Sequence, residues 1–171
     1  MIDVAKFRPR TVYVTYIAST PERVWQALID PAFTAQYFFG RTAEIAPKAG
    51  GSFVMRMPDG RVDIKGEVVE WSTTWTVDWD TDMRELPPCL VSCDIEPAGD
   101  NVKLTMTESY SWDVPEALLA GGRAGWPAIL SSLKSVLETG KPLSIKMEPP
   151  REMMAALQQV FAAKPWLSCD L

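Results

Sequence analysis

Two hydrophobic periods run along the chain, and the change from one to the other separates its elements. Between Gly125 and Gly140 the apolar residues Trp126, Ile129, Leu130, Leu133, Val136 and Leu137 recur at three- and four-residue steps, which predicts a helix with one broad apolar stripe. Pro127 suits the first helical position and Gly140 the left-handed residue just past the end. Such a helix runs for about 13 residues and about 20 Å, enough to lie across several strands. Ahead of it a period of two dominates. Thr11 to Ile17 reads as a first strand, rich in β-branched and aromatic residues. Strands are then predicted at Arg41–Ile45, Ser52–Met57, Val62–Glu70, Trp75–Trp79, Cys89–Glu96 and Val102–Tyr110, with turns at Pro58-Asp59-Gly60 and Pro97 to Asn101.

Two short helices interrupt this run. Thr20-Pro21-Glu22 and Asp30-Pro31 each place a capping side chain before a proline, and Val24, Trp25 and Leu28, then Phe33, Tyr37 and Phe38, give the two helices apolar faces. Asp113 to Gly122 reads as a loop and short turn leading into the long helix. Consecutive strands joined by tight turns imply an antiparallel sheet with its helices gathered on one face. The expected class is α+β: a curved antiparallel sheet of about six or seven strands wrapped around a long C-terminal helix, with two short helices after the first strand. The domain is expected over residues 1–145, with 146–171 as a helical extension of it. In that tail Met153, Met154, Leu157, Val160 and Phe161 share one side of a helix begun at Pro149-Pro150-Arg151. The stripe admits three uses: docking on its own domain, covering a pocket mouth, or forming a homodimer.

Composition narrows the chemistry. The 171 residues carry a net charge of −5 with no basic cluster, which argues against nucleic acid and anionic membranes as partners. No apolar run reaches the length of a membrane span, and Met1 to Lys6 lacks the pattern of a secretory signal, so a cytoplasmic protein is expected. Histidine is absent, which removes histidine-based triads and the commonest metal ligand. Of the three cysteines, Cys89 and Cys93 share one strand face about 13 Å apart, too far to share an ion. Asp78, Asp80, Asp82 and Glu85 lack the spacing of a calcium loop and read as solvated, as do Arg56, Arg61, Lys65 and Glu67. No metal or cofactor is expected.

Several segments in their order resemble a known superfamily: Thr20 to Leu28, Asp30-Pro31, Tyr37-Phe38-Phe39-Gly40, Gly50-Gly51-Ser52-Phe53 and Gly125-Trp126-Pro127. They are similar to the helix-grip domains of the START and birch-pollen-allergen (SRPBCC) superfamily. Within it the resemblance is to the bacterial branch related to the C-terminal domain of activators of the 90-kDa heat-shock-protein ATPase. It spans roughly Val12 to Gly140. The resemblance implies the fold and a cavity between sheet and helix; the superfamily holds carriers, cyclases, oxygenase domains and chaperone activators, so it selects no activity.

Strand alternation points Phe53, Met55, Ile64, Val68, Trp75, Val77, Trp79, Val91, Cys93, Leu104 and Met106 towards Trp126, Ile129, Leu130 and Leu133. Of these, Phe53, Met55, Trp79, Cys93, Met106, Trp126 and Leu130 are expected to contact a small hydrophobic ligand, lipid-like or aromatic, with Tyr37, Glu108 and Tyr110 as its polar contacts. Glu108 follows Leu104 and Met106 on the inward face, where desolvation favours the protonated form and suits a general acid or base. The alternative places it at the rim, in water or paired with Arg41 or Arg123. Binding of a hydrophobic molecule is the leading expectation. The others are a cofactor-independent cyclase- or hydrolase-type enzyme using Glu108, and a chaperone partner or stress-response protein acting through its surface.

Overall fold

The computed structural model describes residues 3–70, 74–79, 86–146, 148 and 150–164, with the backbone alone for 70 and 74–79. In chain order the elements are β1 (Arg8–Ile17), α1 (Pro21–Ile29), α2 (Pro31–Tyr37), β2 (Thr42–Ile45), β3 (Ser52–Arg56) and β4 (Val62–Glu70). β5 (Thr74–Trp79), β6 (Cys89–Ala98), β7 (Asn101–Tyr110), α3 (Glu116–Thr139) and α4 (Arg151–Ala163) complete them. The strands form one seven-stranded sheet in the order β1-β7-β6-β5-β4-β3-β2, antiparallel at every step. The antiparallel sheet with one long helix is the helix-grip fold.

The short helices begin as the cap-plus-proline pattern predicts. Thr20 accepts the Arg23 N–H, and Asp30 Oδ1 accepts the Ala32 N–H at 2.7 Å while also ending α1. Thr34, 1% exposed, then ties α2 to the sheet by accepting the Ala43 N–H at 3.0 Å. Phe39 and Gly40, both at positive φ, turn the chain from α2 towards β2.

The long helix departs from expectation at its start. α3 runs for 24 residues, Pro127 lies inside it, and Glu116 to Gly122 are helical rather than loop. A proline within a helix removes one backbone bond, here to the Arg123 carbonyl. Pro127 and Arg123 both lie on the exposed face, so that carbonyl is open to water and the helix continues through it. The C-terminal end is as predicted: Gly140 has φ 74° and its N–H reaches the Val136 carbonyl. The stripe of Ile129, Leu130, Leu133, Val136 and Leu137 is buried against Val91, Cys93, Leu104 and Met106 of the sheet, and each such side chain contributes about 1.5–3 kcal/mol by leaving water.

α4 packs on the N-terminal half of α3. Its Leu157 and Val160 are buried with Leu119, Trp112, Val114 and Leu86, whereas Met154 is 53% exposed. The tail stripe thus docks on its own chain. Two glycines on α3 permit close approach. A Cβ on Gly121 would collide with the Met153 sulfur, and one on Gly122 would stand 2.7 Å from Glu108 Oε2 on β7. Alanine favours a helix over glycine by about 1 kcal/mol. Gly122→Ala is nevertheless expected to lower stability by about 1–3 kcal/mol, because the carboxylate must move away from its partners. Urea denaturation measures this, and an unchanged or raised midpoint would mean that the carboxylate yields freely.

Candidate functional site

A cavity of about 580 Å³ lies between the sheet and α3. α2 supplies Tyr37 and Phe38, β3 supplies Phe53 and Met55, and β6 supplies Cys89, Val91 and Cys93. Met106, Glu108 and Tyr110 project from β7, facing Trp126, Ile129, Leu130 and Leu133 of α3. Ile145, Lys146 and Glu148 of the linker and Met153 and Leu157 of α4 form another part of the wall, so the tail helix lies along the cavity as well as against α3. Strand alternation explains the composition: every second residue of β3, β6 and β7 turns the same way, and those that line the cavity are apolar or aromatic except Glu108.

The residues singled out from the sequence are distributed as follows. Tyr37, Phe53, Met55, Cys93, Met106, Glu108, Tyr110, Trp126 and Leu130 all line this cavity. The side chain of Trp79 lies outside the described residues; its backbone pairs with Ile64 on β4. The acidic stretch 80–85 and Cys169 are outside them as well, as are the side chains of Trp75, Val77 and Asp78. Cys89 and Cys93 are buried free thiols, and among the described residues no group of metal-ligating side chains is close enough to hold an ion.

Glu108 is 7% exposed and turns inward rather than to a water-filled rim. Thr11 Oγ1 donates to its Oε2 at 2.6 Å, Tyr13 OH donates to the same oxygen at 3.4 Å, and Trp126 Nε1 donates to Oε1 at 2.8 Å. The carboxylate therefore joins β1, β7 and α3. The arginines weighed as its partners are engaged elsewhere: Arg41 with Asp63 at 2.7 Å and Arg123 with Glu116 at 2.6 Å. Thr11 and Tyr13 did not emerge from the sequence as site residues. Their signal was present, since Thr11, Tyr13, Thr15 and Ile17 occupy one face of β1, but only the pairing of β1 with β7 sets Thr11 opposite Glu108. The Arg41–Asp63 pair, which also lines the cavity, was missed for the same reason.

The aromatic side chains form the remainder of this wall. Phe38 meets the Trp126 ring edge to face, with centroids 5.8 Å apart. Burial holds the Tyr37 and Tyr110 phenols well above the ordinary range, so both stay protonated at neutral pH. Both side chains line the cavity. Burial and the neighbouring Glu108 push Tyr13 up to about 12, which keeps it a donor. Burial also pushes the Cys93 thiol up to about 12 and the Cys89 thiol higher still.

Among the described residues no helix is long and apolar enough to cross a membrane. No curated protein matches the sequence significantly. Solved structures do match. The crystal structure of CalU16 from Micromonospora echinospora is 18% identical, over 96% of this chain and 96% of that one, with a TM-score of 0.60. The solution structure of the Aha1 dimer from Colwellia psychrerythraea is 19% identical, over 76% of this chain and 96% of that one, with a TM-score of 0.59. Protein MLL2253 from Mesorhizobium loti is 22% identical, over 74% of this chain and 96% of its own, with a TM-score of 0.58. At such identities the likeness is one of fold. Residues 18–138, which run from the end of β1 through nearly all of α3, match the family described as Activator of Hsp90 ATPase homolog 1-like protein, and the chain belongs to that family.

Proposed function

We propose that this protein binds a small, largely apolar molecule, lipid-like or aromatic, in the cavity between the sheet and α3. The cavity itself supports the reading most: about 580 Å³, on the scale of small-molecule sites, walled by Phe53, Met55, Met106, Trp126 and Leu130. Methionine adapts its shape to a ligand, and aromatic rings offer large flat contacts. Affinity would come from the apolar area removed from water, and orientation from Glu108 and the hydroxyls of Tyr37 and Tyr110.

A cofactor-independent cyclase- or hydrolase-type reaction is the second reading, because Glu108 stands on the cavity wall where an acid–base group would act. Burial weakens it, since thiols and phenols held protonated at neutral pH are poor nucleophiles and poor bases. The family description and the Colwellia dimer support a third reading, a chaperone partner that works through its surface or as a homodimer. Stimulation of a chaperone ATPase that persists with the cavity filled would favour it.

Native mass spectrometry of protein purified from cells, with thermal-shift screening of lipids and aromatic compounds, tests the binding reading. A co-purifying mass or a saturating rise in melting temperature is expected; ligand at 100 times its Kd adds about 2.7 kcal/mol. Leu130→Trp fills the cavity from α3 and should weaken binding by about tenfold or more while the circular dichroism spectrum is retained. Undiminished binding to that variant would place the site elsewhere. Glu108→Gln should leave binding of a purely apolar molecule intact, and abolished turnover in that variant would move weight to the enzyme reading.

The buried acids also set a dependence on pH. Cys93 is raised from 9.0 to about 12 and Tyr13 from 10.0 to about 12, both chiefly by burial. Each holds its proton in the folded state at a pH where the unfolded chain releases it. Their contribution is complete below about pH 9 and is lost as pH rises through about 12. Urea midpoints should fall across that interval, and Cys93→Ala should blunt the fall at its lower end. A flat profile would show that these groups meet water.

A further inference from the structure

We infer that the molecule held in the cavity bears a protonated amine, set against Glu108 among aromatic side chains. The inference rests on the cavity reading above and adds the chemistry of the ligand's polar end. Glu108 is a buried carboxylate whose partners among the described residues are all neutral: the Thr11 and Tyr13 hydroxyls and the Trp126 N–H. Buried carboxylates in proteins are ordinarily matched by a cation. Here the nearby arginines serve other acids: Arg10 binds Asp113 and Glu116, Arg41 binds Asp63, and Arg123 binds Glu116. Two oxygens offer about four acceptor sites, and Oε1 receives one donor in the fold, so it can accept another from a ligand.

The surroundings suit a cation. Trp126, Phe38 and Tyr110 line the same cavity as the carboxylate, and an ammonium group gains from aromatic faces when it is withdrawn from water. A ligand carboxylate would set two like charges together in a medium of low dielectric constant, which is strongly unfavourable. A hydroxyl could donate to Oε1 but would leave the buried charge without a counter-charge. The expected order of affinity for one apolar body is therefore amine, then alcohol, then carboxylate.

Decylamine, decanol and decanoate share that body and can be compared by titration calorimetry at neutral pH, below their micelle-forming concentrations. Decylamine should bind at least about tenfold more tightly than decanoate, a difference of about 1.4 kcal/mol. Glu108→Gln should bring that ratio close to one. Should the glutamine chain fail to fold, the wild-type comparison of decylamine with its neutral N-acetyl derivative decides the matter, with the amine expected to be the tighter ligand. Binding of all three compounds without preference for the amine, or a preference that survives Glu108→Gln, would overturn the amine assignment and leave the cavity reading standing. Binding of no compound, here or in the wider screen, would sink both.

Discussion

Three elements distant in sequence meet at one carboxylate. β1 brings Thr11 and Tyr13, α3 brings Trp126, and β7 holds Glu108 between them, with both oxygens engaged. A carboxylate withdrawn from water without donors is strongly destabilising, so its burial demands that these partners arrive together. That demand reaches the backbone: Gly122 lacks a Cβ where one would press on Oε2, which lets α3 come close to β7. The register of the edge strand β1 is held by the same contact, because a slip of one residue would replace Thr11 opposite Glu108 with an outward-facing neighbour.

Around that junction the fold leaves space rather than filling it. A helix of 24 residues lies against a broad sheet, and its Val136 and Leu137 are buried in the same cluster as Leu104, away from the cavity lining. Nearer its N-terminal half, where Tyr37, Phe53, Met106 and Glu108 converge, the walls stand apart and the cavity opens. The buried cluster stabilises the domain, and the open part is what a ligand could use. α4 and the linker before it run along the open part, which sets the tail at the cavity while its own apolar side rests on Leu119 and Trp112.

Much of this was legible in the chain. Period-two alternation located the strands to within a few residues, and the cap-plus-proline pairs at Thr20-Pro21 and Asp30-Pro31 began both short helices where the structure begins them. Pro127 misled because proline at a first turn is a stronger local signal than proline within a helix. Tertiary packing of Leu119 on the tail, and an exposed face at Arg123 and Pro127, overrode that preference. Gly121 and Gly122 end the stretch read as a loop and short turn, yet in the helix the pair serves close packing against Met153 and Glu108.

The division between chain and fold follows from the range of the interactions. Local rules, acting over three or four residues in helices and two in strands, determined most of the elements and their apolar faces, and they set Glu108 in step with Leu104 and Met106 while leaving open whether it turned inward or met water at the rim. The partners of Glu108 depend on the pairing of β1 with β7 and on the height of Trp126 along α3, which join residues about a hundred positions apart in one case and 18 in the other. Such placements are decided only when the sheet closes on the helix, because no local periodicity encodes which strand lies beside which. The volume left between Met106 and Leu130 is of the same kind. It is the difference between how far the backbones stand apart and how far their side chains reach, and the tertiary structure alone determines that difference.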